Sequence, residues 1–222
     1  MRTNKTKDIS QSRLFKDPSG SIADSNRLYH IILFIFIIFL VVPSFFMVHF
    51  SFSEIKPPRR NSAFPDFSFQ NILTKEENRY LGSSQKHILS FRKIHGDIFI
   101  VEVFSTYCMA CPKNVPVLNA VYSAIANNTD LKDKVKIVGI AVGNTDNEIK
   151  TFRKSYGVHY PVLSDYHFTF HKVIGNPRVP YTIFIKRISG RKKAVIFHTH
   201  QGVFDSPEDI LRVIQDEFHE KN

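Results

Sequence analysis

Ile98-Phe-Ile-Val-Glu-Val-Phe-Ser-Thr-Tyr-Cys-Met-Ala-Cys-Pro112 is the stretch that decides the fold. Its opening run, Ile98–Phe104, is almost continuously apolar, the pattern of a central strand covered on both faces of a sheet. Behind it stand the only two cysteines of the chain, Cys108 and Cys111. Two cysteines so close together enclose a tiny loop, and a bridge between them removes little chain entropy. An exported domain stapled by disulfides would use several spaced cysteines instead. The pair is therefore there to react or to bind something.

Where a strand runs into a helix, a cysteine at the junction meets unpaired backbone N–H groups and the positive end of the helix dipole, which favour thiolate over thiol. Cys108 is thus the candidate nucleophile, and Cys111, one turn inward, the candidate resolving thiol. Resolution requires Cys111 to lose its proton. Glu102, the single charge in the strand, is the candidate acceptor, because a buried carboxylate is costly unless paired or protonated. The plainer alternative is a Glu102 that faces solvent from a half-exposed strand.

Outward from this segment the chain alternates strand and helix, which gives an α/β domain with a mostly parallel sheet. Val135–Val142 reads as a second central strand, Tyr160–Leu163 as a short one, and Tyr181–Lys186 with Lys193–His200 as an antiparallel hairpin around Ser189-Gly190. Helices are expected at Cys111–Asn127, Asn147–Tyr156 (stopped by Gly157), Asp165–Val173 and Pro207–Phe218. Short helices are expected near Lys75–Tyr80 and Ile88–Lys93, and Phe64–Phe69 reads as an edge strand or extended lead-in.

No Lys, Arg, Asp or Glu occurs between Arg27 and Glu54, and the run from Ile31 to Val48 is apolar apart from Pro43 and Ser44. About 20 apolar residues suffice to cross a bilayer, and a soluble helix is seldom apolar on every face for such a length. The expectation is a flexible tail at 1–27, a transmembrane signal anchor at 28–52, a tether at 53–62 and a folded domain at 63–222. A cleaved signal peptide would have a shorter apolar core and an Ala-x-Ala-like site; the run here is long and offers only Ser51-x-Ser53. Basic residues close to the span are balanced on its two sides, but long domains translocate largely regardless of charge. The expected topology is single-pass, with the N-terminus cytoplasmic and the domain extracytoplasmic (periplasmic).

The formal charge is +10. Its basic residues are scattered: 24 of the 30 Lys and Arg lie from residue 54 onward, interleaved with 17 acids. No basic stripe alternates with aromatics, so nucleic acid is not an expected partner. A basic, soluble surface is the simpler reading.

Several segments together resemble the thioredoxin superfamily, specifically the membrane-anchored redoxins similar to TlpA and ResA. They are Ala63-Phe-Pro-Asp-Phe67, Glu102–Pro112, Pro116, Tyr156–Asp165 and Val179-Pro-Tyr-Thr-Ile-Phe-Ile185. The resemblance covers about residues 63–219. It implies a thioredoxin-like fold, a central mixed sheet flanked by helices, and a redox-active Cys108–Cys111 disulfide. It also implies a cis Val179–Pro180 bond beside the sulfurs, with the Val179 backbone pairing to an extended substrate. Alone, Pro180 would simply open an edge strand. Tyr107 stands where this family usually has Trp and joins Val179 and Pro180 as a substrate-contacting candidate. Pro112 replaces a common basic residue, removes an N–H from the first turn and leaves the Cys108 carbonyl in need of a donor. Tyr181 stands where cytochrome c maturation thioredoxins often carry an acid.

The expected function is thiol–disulfide exchange with protein substrates, in the reducing direction favoured by the family, with a membrane electron donor and no cofactor. A peroxiredoxin would need Pro and Thr where Val101 and Ser105 stand. A Sco-like metallochaperone is the alternative, since His198 and His200 on one strand face could join the cysteines, but such proteins use C-x-x-x-C, and paired histidines on an edge hairpin usually form a solvated polar face. A non-catalytic tethered binding module is the third reading.

Overall fold

A computed structural model of the chain describes residues 22–47, 56–70, 72–84, 87–188 and 193–219, with side chains of the first segment described only for 26–38. The chain divides into two compact units, Met1–Ser53 and Glu54–Asn222. The first contains helix α1 (Ile22–Met47), 26 residues long. Among the described residues no helix is long and apolar enough to cross a membrane. Residues 1–25 of the tail expected at 1–27, and residues 39–52 of the expected span, lie outside the described side chains.

The second unit contains, in chain order, β1 (Ser68–Gln70), α2 (Lys75–Tyr80), β2 (Ile88–Ser90), β3 (Ile98–Phe104), α3 (Asn114–Asn127), β4 (Val135–Val142), α4 (Asp146–Tyr156), β5 (Val162–Asp165), α5 (Thr169–Val173), β6 (Tyr181–Arg187), β7 (Ala194–Gln201) and α6 (Pro207–His219). Five strands make one mixed sheet in the order β5-β4-β3-β6-β7. β3 sits at its centre, parallel to β4 and antiparallel to β6. Both β3 and β4 are buried along their whole length, which is why they read as near-continuous apolar runs rather than alternating ones.

Each face of the sheet has its own core. Ile98, Ile100 and Phe104 pack with Leu118 of α3 and Ile210 and Ile214 of α6. On the other face Phe99, Val101 and Val103 pack with Leu89, Phe91 and Phe170. Glu102 has the even-numbered register of the first group, so its carboxyl enters the layer beneath α3. Gly157 ends α4 in the left-handed conformation (φ 64°) that a glycine adopts without cost, as its place in the sequence predicts.

Two expectations are corrected. The segment expected as a helix at Ile88–Lys93 is instead strand β2 followed by one 3₁₀ turn, Phe91–Lys93. Its residues pair antiparallel with β1, Ser68 opposite Ser90, while Leu89 is fully buried; a distant strand partner outweighs local propensity. The edge strand expected at Phe64–Phe69 is also displaced. Pairing to the large sheet comes earlier, where Asn61 N–H donates to Ile196 O (2.7 Å), Ile196 N–H to Ser62 O (2.9 Å) and Phe64 N–H to Ala194 O (2.9 Å). The end of the expected tether thus covers part of the open edge of β7, an edge that would otherwise present unpaired backbone groups. The hairpin turn at Ser189-Gly190 lies outside the described residues.

Candidate active site

Cys108 and Cys111 are joined by a disulfide, with Cα atoms 5.4 Å apart. The loop from Ser105 to Ala110 carries Cys108 out of β3, and its shape is set by a residue on another strand connection. Asn144, fully buried after β4, accepts from Thr106 N–H (2.9 Å) and Ser105 Oγ (3.3 Å) and donates through Nδ2 to Thr106 Oγ1 (2.6 Å). Asn144→Ala leaves the Thr106 N–H without this acceptor. The expected loss is about 2 kcal/mol, the cost of an orphaned buried donor, read as a lower midpoint in denaturant unfolding with the slope unchanged.

The helix expected from Cys111 begins differently. A 3₁₀ turn at Cys111–Lys113 precedes α3, because Pro112 has no N–H to donate in an α-helical turn. The Cys108 carbonyl is not left free: it accepts from Cys111 N–H at 3.2 Å. The same N–H lies 3.2 Å from Cys108 Sγ, a donor well placed to stabilise a thiolate once the bridge is reduced. Cys111 is buried, whereas Cys108 is partly exposed.

Across from the sulfurs, Val179–Pro180 is a cis peptide, and Val179 O lies 3.6 Å from Cys108 Sγ. The turn before β6 is fastened from β7: Gly202 N–H donates to Pro180 O (2.9 Å), and Gln201 Nε2 donates to Pro180 O (3.0 Å) and Arg178 O (2.7 Å). Neither Gln201 nor Asn144 stands out in the sequence.

Glu102 is only 1% exposed, so the solvent-facing alternative is excluded. Its Oε1 accepts from Asn114 Nδ2 at 2.9 Å and its Oε2 from the Thr182 hydroxyl. Burial pushes the carboxyl up from the ordinary 4.5 to about 7, against the opposing pull of those two hydrogen bonds. Burial, and after it the Glu102 charge, holds the Tyr160 phenol well above the usual tyrosine range.

Tyr107 is 71% exposed beside the dithiol, and Met109 is 94% exposed. The Tyr107 hydroxyl donates to Glu148 Oε1, which holds the Glu148 carboxyl below the usual range and the phenol above it. A groove of about 400 Å³ lies alongside, lined by Thr106, Tyr107, Glu148, Thr151 and Tyr156. The structure therefore brings five of the six candidates, Cys108, Cys111, Tyr107, Val179 and Pro180, to one end of the sheet, with Glu102 beneath them.

The histidines of β7 are half-buried, each with its ring against an aromatic neighbour. His200 stacks on Phe204 with centroids 3.9 Å apart, and His198 packs edge-on against Phe184. Burial depresses the His198 imidazole, with His200 and Arg60 adding to the effect. Among the described residues no group of three His, Cys, Asp or Glu is placed to hold a metal ion.

A family profile described as AhpC/TSA matches residues 61–196, more than half of the chain. The thiol-disulfide oxidoreductase ResA of Bacillus thuringiensis subsp. konkukian is 25% identical over 107 residues, 44% of this chain and 58% of that protein. The chain thus spans little more than half the length of that relative. The thioredoxin domain of a thiol-disulfide oxidoreductase from Bacteroides vulgatus superposes with a TM-score of 0.53 at 12% identity, covering 70% of this chain and 98% of that one. AhpC of Mycobacterium tuberculosis superposes at 0.51 with 14% identity, covering 72% and 92%. At those identities the likeness is one of fold.

Proposed function

From the premise that the chain belongs to the AhpC/TSA family, we propose that it is a thiol–disulfide oxidoreductase exchanging disulfides with protein substrates. The observation that carries this reading is the bridged Cys108–Cys111 pair facing the Val179 carbonyl at the end of the strand that buries the Glu102 carboxyl. In the reducing direction the Cys108 thiolate attacks one sulfur of a substrate disulfide. A mixed disulfide forms and one substrate thiolate departs. Glu102 accepts the Cys111 proton, and Cys111 then attacks Cys108 Sγ, releasing the second substrate thiolate and closing the Cys108–Cys111 bridge. Two electrons pass to the substrate. A base near pH 7 is populated in both protonation states at working pH, as a group that must take and return a proton requires. The exposed Tyr107 and the Val179 backbone are the surfaces against which an extended polypeptide would lie. Peroxide reduction is disfavoured by Val101 and Ser105, which stand where a peroxidatic motif needs Pro and Thr.

In the same reading the domain lies outside the cytoplasm, anchored by the uncharged stretch Leu28–Ser53 in the bilayer and supplied by a membrane electron donor. Reduction in an oxidising compartment requires such a donor. The test is a redox titration of the purified chain against a thiol–disulfide buffer. A reversible two-electron couple is expected, near −270 mV for a reductase, whereas a value near −120 mV would mark an oxidant. No reversible couple at all would sink the oxidoreductase reading.

A further inference from the structure

Asn114, in the first turn of α3, is 1% exposed and has no part in the exchange chemistry derived above. Its amide has three partners. Oδ1 accepts from Phe204 N–H at 2.9 Å, while Nδ2 donates to Glu102 Oε1 at 2.9 Å and to Gly202 O at 3.3 Å. The amide cannot be turned over. Phe204 N–H is a donor and needs oxygen opposite it; Gly202 O is an acceptor and needs the NH₂. With both ends fixed by backbone, the face toward Glu102 is always a donor.

A carboxylic acid that accepts a donor at one oxygen carries its proton by preference on the other, because the carbonyl oxygen is the better acceptor. The other oxygen, Oε2, meets the Thr182 hydroxyl, which can donate to a carboxylate and turn to accept from an acid. We propose that Asn114 is a positioning residue that pins Glu102 Oε1 as an acceptor, favours the carboxylate, and confines the transferable proton to Oε2 beside Thr182. This rests on the reading of Glu102 as the base of a disulfide exchanger. Phe204 and Gly202 tie the same amide to the segment that holds Pro180, so α3, the base and the cis-proline turn share one hydrogen-bonded frame.

The groups that surround the carboxyl are few. Asn114 approaches from α3, Thr182 from β6 and Gly139 from β4, its strand neighbours by register. Tyr160, ahead of β5, interacts with it electrostatically. Cys111 belongs to the same core layer, and His200 of β7 lies opposite Thr182 with its ring on Phe204. No Lys or Arg forms an ion pair with Glu102 among the described residues, so burial is opposed by hydrogen bonds rather than by a counter-charge.

The test is difference infrared spectroscopy of the Glu102 carboxyl in the oxidised full chain, titrated without substrate and assigned by its loss in Glu102→Gln. Asn114→Ala and the near-isosteric Asn114→Leu both remove the donor to Oε1. Each is expected to raise the titration midpoint by about one pH unit, a tenfold tighter hold on the proton, and to move the protonated C=O stretch to higher frequency. Thr182→Val should raise the midpoint but leave that stretch, since Oε1 is the carbonyl oxygen, and Thr182→Ser should restore the midpoint. A midpoint unmoved in whichever Asn114 variant folds would overturn the proposal, as would a C=O stretch that follows Thr182 and not Asn114. Because no disulfide is exchanged in this measurement, its failure leaves the redox reading standing, and loss of the redox couple leaves the titration standing.

Discussion

In cells, the Cys111→Ser variant is expected to accumulate disulfide-linked adducts with substrate proteins, while Cys108→Ser and the double variant accumulate none. The asymmetry follows from burial. Cys111 lies inside the core layer under the sheet, whereas Cys108 is partly exposed, with its sulfur beside the Val179 carbonyl and the exposed Tyr107 and Met109 as neighbours. A substrate sulfur can approach Cys108 in line but has no path to Cys111. Once the mixed disulfide has formed, its normal fate is attack by a thiol a turn away, an intramolecular step whose effective concentration far exceeds that of any free thiol. Serine at 111 removes that step, so the adduct should live on the order of 10³-fold longer or more. Non-reducing electrophoresis after acid quenching reads the adducts directly. Equal adduct levels from both single variants would mean that the two sulfurs are equally reachable, contrary to the geometry.

The sheet was legible because its information is local. β3, β4 and β6 are apolar over most of their length, and the stop at Gly157 ends α4. The cysteine pair was legible from its spacing, whereas the place of Pro180 beside it came only from the resemblance of Val179–Ile185 to the thioredoxin superfamily. What escaped is polar and long-range. Asn144 meets Thr106 across 38 positions, and Asn114 meets Phe204 across 90. An isolated asparagine in a sequence carries no hint of which backbone groups will surround it. A weak signal did exist for Asn114: three residues after Cys111 on a helix means the same face as a buried thiol, where a polar side chain needs partners. The strand at Ile88–Ser90 was missed for a similar reason, since its partner at 68–70 is remote in sequence and the short run alone suits a helix as well. The 3₁₀ turn at Cys111–Lys113, by contrast, follows from Pro112 once one asks where each N–H of the first turn would come from.

Glu102→Gln is expected to stabilise the oxidised protein at alkaline pH, and the reason also explains why the residue is there. In the unfolded chain the carboxyl titrates near 4.5; in the fold, burial raises it to about 7. The folded state therefore binds the proton more tightly than the unfolded state. Below pH 4.5 the group is neutral in both states and costs nothing extra. Between about 4.5 and 7 the unfolded chain ionises while the folded one resists, and stability falls with rising pH. Above 7 both are ionised, and the loss levels off at about 3 kcal/mol, since each pH unit between the two midpoints is worth about 1.4 kcal/mol. Glutamine cannot ionise, so the difference in unfolding free energy between variant and wild type should be small at pH 4 and grow to about 3 kcal/mol by about pH 8.5. Denaturant melts of the two proteins across that range, each with the disulfide intact, measure it. A difference that stays flat with pH would show that the Glu102 carboxyl titrates alike in the folded and unfolded chain, so that burial does not raise it. The same substitution should slow resolution of the mixed disulfide, because Cys111 loses its proton acceptor. A side chain that destabilises the fold at neutral pH yet is held by Asn114 and Thr182 on two sides is accounted for, under the proposed exchange chemistry, by the proton it would handle and not by the core it occupies.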